Sequence, residues 1–160
     1  MIRLIALLSA LLFAQQGFGA PLAASGAAAP ALIQCVSAAM STSPNDESGP
    51  LITDCVSVGS NACRNTQSDT SDAAILGCDG EEELFWQALL DFEFSTLQKS
   101  LKPQALKSLR SSQKAWVPWR AARCDFVKSS EQGSKQVTVD ISFCMMETTA
   151  LRAIDLMYAL

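Results

Sequence analysis

The stretch LKSLRSSQKAWVPWRAARC, residues 106–124, predicts a helix with a distinctive row of side chains. Four residues make up this row, spaced three or four apart: Gln113, Trp116, Arg120 and Cys124. That spacing places them on one helical face. Pro118 removes one backbone hydrogen bond within the stretch, but the row keeps its phase across it. We therefore expect a kinked but continuous helix with a specific contact along this face.

Composition limits the function classes. The chain has 160 residues, 49% of them hydrophobic and 18% charged, which suits one globular domain. A formal net charge of -4 argues against a nucleic-acid partner, which would need a basic surface. The chain contains no histidine. This excludes Ser-His-Asp and Cys-His catalysis and histidine-ligated metals.

The first 20 residues have the form of a secretory signal. Arg3 supplies a minimal positive start, and the apolar run 4–13 is too short to span a bilayer. Three small residues leave the cleavage site open: Gly17, Gly19 and Ala20. We expect removal of residues 1–20, and a mature protein that is periplasmic or secreted.

The mature chain divides into a leader and a domain. Residues 21–30 are rich in Ala and Pro and predict a flexible arm, and residues 31–160 predict a single helical domain. No second apolar stretch approaches membrane length. We therefore expect the mature chain to be soluble.

Six cysteines remain to be explained: Cys35, Cys55, Cys63, Cys78, Cys124 and Cys144. In an oxidising compartment an even set predicts a disulfide framework. The set contains no C-x-x-C pair, and no histidine completes a metal site. We therefore expect three disulfides, no metal and no cofactor.

The chain order suggests the disulfide pairing. Residues 31–41 and 51–63 predict a helical hairpin around a turn-rich segment, which brings Cys35 near Cys55. Cys63 and Cys78 would then close the polar loop 65–72 between them. A bridge from Cys35 to Cys63 stays open as an alternative.

A second helix is predicted after Cys78. Asp79 is a candidate N-cap with Glu82 at the third helical position, and the acidic run 81–83 suits the positive end of a helix dipole. A solvated helix start is a more common role for three glutamates than acid–base chemistry. The apolar face of this helix has seven members: Phe85, Trp86, Leu89, Leu90, Phe94, Leu97 and Leu101.

The remaining segments predict two more helices. Pro103 suits a first helical turn. The buried side of that helix is expected to contain Leu106, Leu109, Trp116 and Val117. Residues 129–140 predict a loop with a few extended residues near Val137 and Val139, and residues 141–160 predict the last helix.

Cys124 and Cys144 lie near the end of one predicted helix and the start of the next, so we expect them to pair. The fold class is therefore all-α, a small disulfide-stapled bundle of about four or five helices.

Four motifs carry a resemblance to a known family. One is LRSSQKAWVPWRAARC, residues 109–124, and one is the loop pair Gly133-Ser134. The other two are a run of Cys78, Glu82, Trp86, Leu90 and Phe94, and a closing set of Cys144, Thr149, Arg152 and Leu156. In these motifs the chain resembles the LprI-like lysozyme inhibitors, a family of exported bacterial helical domains. The resemblance covers about residues 63–156.

The chain departs from the family pattern at several positions. Ala121 stands where the family has Asp, Asp91 replaces Asn, and Phe94 replaces Tyr. Pro118 is unexpected, and Gln132 takes the place of a second loop glycine. The cysteines are untouched, so the departures bear on activity more than on fold.

Most of the motif residues are interpreted as scaffold: Glu82, Trp86, Gln113, Trp116, Arg120, Thr149 and Arg152. An unpaired buried charge is costly, so we expect Glu82 to pair with at least one of Arg120 and Arg152. The loop of Gly133, Ser134 and Lys135 is the candidate for contact with a partner, because glycine lets backbone approach closely.

The resemblance implies an inhibitor that binds lysozyme and blocks its cleft. A cell-envelope binding or assembly module without lysozyme inhibition is the alternative, because a shared scaffold does not establish function. An enzyme is not expected, since a glycan hydrolase needs two carboxylates facing each other across a cleft. The lysozyme class, the contact residues and the oligomeric state stay open.

Overall fold

The computed structural model describes residues 26–42, 49, 51–130 and 136–159, and helices dominate them. The elements are α1 (Ala29–Ser41), a short 3₁₀ helix (Ile52–Cys55), α2 (Val58–Thr66), α3 (Asp72–Ser100), α4 (Pro103–Ser130) and α5 (Val137–Met157). The described residues contain five α-helices and no strand, which confirms the predicted all-α bundle.

The core lies where α3 packs along α5, the most extensive helix contact in the described chain. From α3 it takes large side chains: Phe85, Trp86, Leu89, Leu90 and Leu97. From α5 it takes Met146 and two small residues, Ala150 and Ala153, which allow close approach of the helices. Leu32 of α1 and Ile52 of the 3₁₀ helix also belong to this core. Burial of each large apolar side chain contributes about 1.5–3 kcal/mol.

Helix α4 packs on α5 and keeps most of its surface in solvent. Cys124 is buried, while Leu109 and Trp116 are half-buried against the core. The helix is continuous through Pro118, as predicted, while the kink expected there stays a prediction. Pro118 is exposed, so water can reach the carbonyl that it leaves unbonded. Val117 is 51% exposed, so its predicted burial was wrong. Val117 lies about 100° around the helix from Trp116, which places it beyond the edge of the contact with α5.

Three disulfides staple the helices, with the pairing predicted from chain order. Cys35–Cys55 joins α1 to the 3₁₀ helix, Cys63–Cys78 joins α2 to α3, and Cys124–Cys144 joins α4 to α5. The bridges close segments of 20, 15 and 20 residues. Each contributes about 2–4 kcal/mol by restricting the unfolded chain.

Helix α3 begins earlier than predicted. Its N-cap is Ser71, whose hydroxyl accepts from the Ala74 N–H at 3.3 Å, and its first residue is Asp72. Cys78 and Asp79 therefore lie inside the helix, so the predicted N-cap at Asp79 was wrong. The residues DAAILGC include two Ala and one Leu, which are good helix formers, and they extend the helix by two turns.

Other helix boundaries also differ from the predicted ones. Residues 51–63 were expected to form one helix, but Ser57 has a left-handed φ of 74° and separates the 3₁₀ helix from α2. Val137 and Val139 lie in the first turn of α5, so the predicted extended residues were wrong. The alternation there is too short to specify a strand. Helix α1 starts at Ala29 and so includes the last two residues of the predicted leader.

The predicted signal, residues 1–20, lies outside the described residues. In the part of the chain that the structure describes, no helix is both long enough and apolar enough to cross a membrane.

Candidate functional site

Three consecutive glutamates in the middle of α3 each bind a different element. Glu81 accepts a 3.1 Å hydrogen bond from the backbone N–H of Ala28, which is the N-cap of α1. Glu82 faces α2, and Glu83 faces α4. Successive side chains on a helix diverge by about 100°, so one acidic run can hold three neighbours at once. The prediction of a solvated helix start at this run was therefore wrong.

Glu82 is fully buried and serves as the N-terminal cap of α2. Its two carboxylate oxygens accept the backbone N–H groups of Ser57 and Ser60, each at 2.7 Å. A third bond comes from Trp86 Nε1 at 2.9 Å. Ser57 makes no side-chain capping bond of its own. A carboxylate at this end also suits the helix dipole, so α3 supplies the cap that α2 lacks.

Asp79 is a second buried carboxylate on α3, and it pairs with Arg64 of α2. Burial raises the pKa of Asp79, and the Arg64 guanidinium partly offsets that rise. The pair lies beside the Cys63–Cys78 disulfide in the chain, so α2 and α3 are joined covalently and electrostatically. Sequence reasoning missed this pair, because Asp79 was interpreted as a helix cap.

Arg120 joins α4 to both α5 and α3. Its Nη1 donates to Thr149 Oγ1 at 2.6 Å and lies 3.4 Å from Glu83 Oε1. Its guanidinium carbon lies 4.9 Å from the ring centroid of Trp116, a cation–π distance. Burial raises the pKa of Glu83, and Arg120 partly lowers it again.

The predicted pairing of Glu82 with Arg120 or Arg152 is therefore wrong. Arg120 contacts the neighbouring residue Glu83, and Glu82 points toward α2. Arg152 instead donates from Nε to Gln113 Oε1 at 3.1 Å, from Nη2 to Ser112 Oγ at 2.7 Å and from Nη1 to Asp155 Oδ2 at 2.5 Å.

The row of residues 113–124 thus faces the other helices along its length. Gln113 binds Arg152, Trp116 packs on the core, Arg120 binds Thr149, and Cys124 is bonded to Cys144. These side chains are used inside the domain and contact α3 and α5.

The predicted contact loop of Gly133, Ser134 and Lys135 lies outside the described residues and stays a prediction.

An open groove runs along the outer side of α4 and α5. One part has a volume of about 240 Å³ and is lined by Trp116, Trp119, Thr148, Leu151, Arg152 and Asp155. A neighbouring hollow of about 530 Å³ shares Arg152 and Asp155 and reaches Tyr158. Trp119 is 54% exposed and Leu151 46% exposed. One feature of the sequence indicates this groove. Trp119 does not share the helical face of Trp116 and Arg120, so its side chain is expected to point away from the contacts that those two residues make.

The described carboxylates do not suggest catalysis or metal binding. No group of three or more Cys, Asp or Glu side chains among the described residues could hold a metal ion. Asp79 and Glu83 have raised pKa values, but each faces an arginine in a helix contact. Neither faces a second carboxylate across a cleft, as glycoside hydrolysis requires.

Comparison with known proteins supplies one match. A family model described as "Lysozyme inhibitor LprI" matches residues 63–156, more than half of the chain. The matched part contains α3, α4 and almost all of α5, with the Glu83–Arg120 contact and two of the three disulfides. No curated protein and no solved structure matches the chain.

Proposed function

Because the chain belongs to the LprI lysozyme inhibitor family, we propose that it is an exported protein that binds lysozyme and blocks the cleft of the enzyme. The observation that carries this proposal is the family match over residues 63–156. The departures from the family pattern leave the scaffold intact: Arg120 is bonded to Thr149, although Ala121 and Pro118 are its neighbours.

Charge supports the proposal. The chain has a formal net charge of -4, and a basic lysozyme would be attracted to it. Such attraction chiefly raises the association rate and weakens as salt is added. Inhibition should therefore develop more slowly at high ionic strength, even where the final complex is tight.

Export is part of the proposal. Residues 1–20 have the form of a signal, and the three disulfides suit an oxidising compartment. Acting by occupancy, the protein would need no catalytic residue, metal or cofactor of its own.

The test is a titration of the protein, purified from the periplasm with its disulfides formed, against lysozyme in a cell-wall turbidity assay. We expect the lytic rate to fall to near zero as the protein approaches molar excess. Protein that has been reduced and alkylated is the matched control and should not inhibit. Full lytic activity at large excess of folded protein, for every lysozyme class tried, would refute the proposal.

One observation favours the alternative, a cell-envelope binding module. Helix α4 contains six Lys and Arg residues and one Asp, and Lys107, Arg110 and Lys114 are exposed with spacings of three and four. Such a flank suits an anionic envelope component. Recovery of an envelope partner from periplasmic extract, with no effect on lysozyme, would support this reading instead.

A further inference from the structure

The outward face of α5 combines carboxylates with exposed apolar side chains. Asp140, Glu147 and Asp155 recur at intervals of seven and eight residues, which places them on one side of the helix. Leu151 and Tyr158 lie on the same side, with Tyr158 71% exposed. The Asp155 side chain is 65% exposed.

Trp119 of α4 extends this face across the groove. It shares the groove lining with Leu151 and Asp155, and more than half of its surface is in solvent. Exposed tryptophan and tyrosine are the residue types that most often dominate binding energy in protein interfaces. We call Trp119, Leu151, Asp155 and Tyr158 the groove face.

Cations on α4 mostly lie on the other flank. At 100° per residue, Lys107, Arg110 and Lys114 lie about 120–180° around the helix from Trp119. Arg123 is the exposed α4 cation on the Trp119 side, about 40° away. The single cation of described α5, Arg152, is held toward α4 by its bonds to Gln113 and Ser112, and its Nη1 pairs with Asp155. A basic partner would therefore approach from the α5 side.

We propose that the groove face is the surface that contacts lysozyme, an inference that rests on the proposed inhibitory function. Asp155 of the groove face, with the half-buried Asp140 and Glu147 on the same side of α5, complements a basic enzyme. The aromatic residues of the groove face provide apolar contact that the domain itself leaves uncovered. The cations on the opposite flank of α4 disfavour binding of lysozyme through that flank, because they repel a basic surface.

Three variants of the exported, disulfide-bonded protein test the contact, each measured as the Kd for lysozyme by titration calorimetry. We expect Trp119→Ala and Asp155→Lys each to weaken binding about tenfold or more. Arg123→Glu removes the cation from this side and should tighten binding severalfold.

Two controls change exposed residues on the opposite flank of α4. Val117→Ala trims a side chain that is 51% exposed, and Asp125→Lys makes the same charge reversal as Asp155→Lys at an exposed position. Both should stay within about threefold of the wild-type Kd. Far-UV circular dichroism and thermal melting verify that every variant is folded.

The outcomes separate the two proposals. If the wild type inhibits lysozyme but Trp119→Ala and Asp155→Lys bind as tightly as it does, the groove face is refuted and the inhibitory function stands. Equal weakening by Asp125→Lys and Asp155→Lys would also refute it, because only overall charge would then matter. A folded wild type that binds no lysozyme refutes both.

Discussion

Glu82 accepts a 2.7 Å hydrogen bond from the backbone N–H of Ser60, although the two residues lie 22 positions apart in the chain. The bond caps the start of α2 with a side chain of α3, and the Ser57 N–H bonds the other carboxylate oxygen. Helix caps are usually supplied by the residue at the helix start itself. Here α2, a helix of nine residues, depends on a tertiary contact for its first turn.

Replacing Glu82 with Gln should destabilise the domain by about 2–3 kcal/mol, because the amide NH₂ would face a backbone N–H and leave a buried donor unsatisfied. Trp86 Nε1 would still have an acceptor if the amide oxygen kept the Oε1 position. Urea unfolding followed by circular dichroism measures the change.

Asp91→Asn is the matched control, an exposed carboxylate on the same helix, and it should change the free energy of unfolding by less than about 0.5 kcal/mol. Equal effects of the two substitutions would mean that the Glu82 cap does not stabilise α2.

Glycines in α2 and α3 should respond oppositely to alanine. A Cβ on Gly59 would lie 3.0 Å from the Ala28 carbonyl oxygen and 3.2 Å from Glu82 Oε2. Neither atom can move freely, since one is backbone and the other belongs to a carboxylate that accepts three hydrogen bonds. We expect Gly59→Ala to lower the melting temperature despite the higher helix propensity of alanine.

Gly77→Ala and Gly80→Ala are the matched comparisons on α3. A Cβ at either position meets nothing within 4 Å, so each change should stabilise the domain by about 0.5–1 kcal/mol. The close packing of α2 against Glu82 would be contradicted if Gly59→Ala raised the melting temperature as these two do.

The sequence was sufficient to predict the bundle, the continuous helix across Pro118 and the Cys124–Cys144 bridge, because each rests on local periodicity or chain order. For Cys35 it favoured Cys55 but left Cys63 open as a partner, and the structure shows the bridge to Cys55. The sequence was insufficient to predict the contacts of the acidic run 81–83. The pattern Asp79-x-x-Glu82 imitates a capping box, whereas the true partners of Glu81 and Glu82 lie 53 and 25 positions away. Local patterns do not encode which distant backbone N–H a carboxylate will meet.

The candidate site was predicted in part. The spacing of Gln113, Trp116 and Arg120 indicated the inward face of α4 correctly, since helical phase determines the centre of a buried face. It did not determine the edge of that face: Val117 was expected inside and is exposed. The groove face depends on how far α5 covers α4, which is a property of packing and not of either helix alone.

Arg120 and Glu83 should be coupled in a double-mutant cycle. We expect a coupling free energy of about 1 kcal/mol between Arg120→Ala and Glu83→Ala, because the 3.4 Å pair is largely shielded from solvent. In the corresponding cycle between Arg120→Ala and Glu82→Ala, the coupling free energy should be less than about 0.5 kcal/mol, since Glu82 faces α2. Denaturant titration of the single and double variants measures both, and the reverse ranking would overturn the assignment of Glu83 as the partner.

Stability should depend on pH through the buried carboxylates of α3. Burial raises the pKa of Asp79 and Glu83 above their ordinary values of 3.8 and 4.5. In the pH interval just above those values, the folded state still holds protons that the unfolded chain has released. The contribution of these two carboxyl groups to the free energy of unfolding therefore falls as pH rises. Asp79→Asn removes one such group, and we expect a shallower fall over that interval than in the wild type. Asp125→Asn, at an exposed position, should keep the wild-type slope, and a similar slope for Asp79→Asn would show that burial of Asp79 does not shift its pKa.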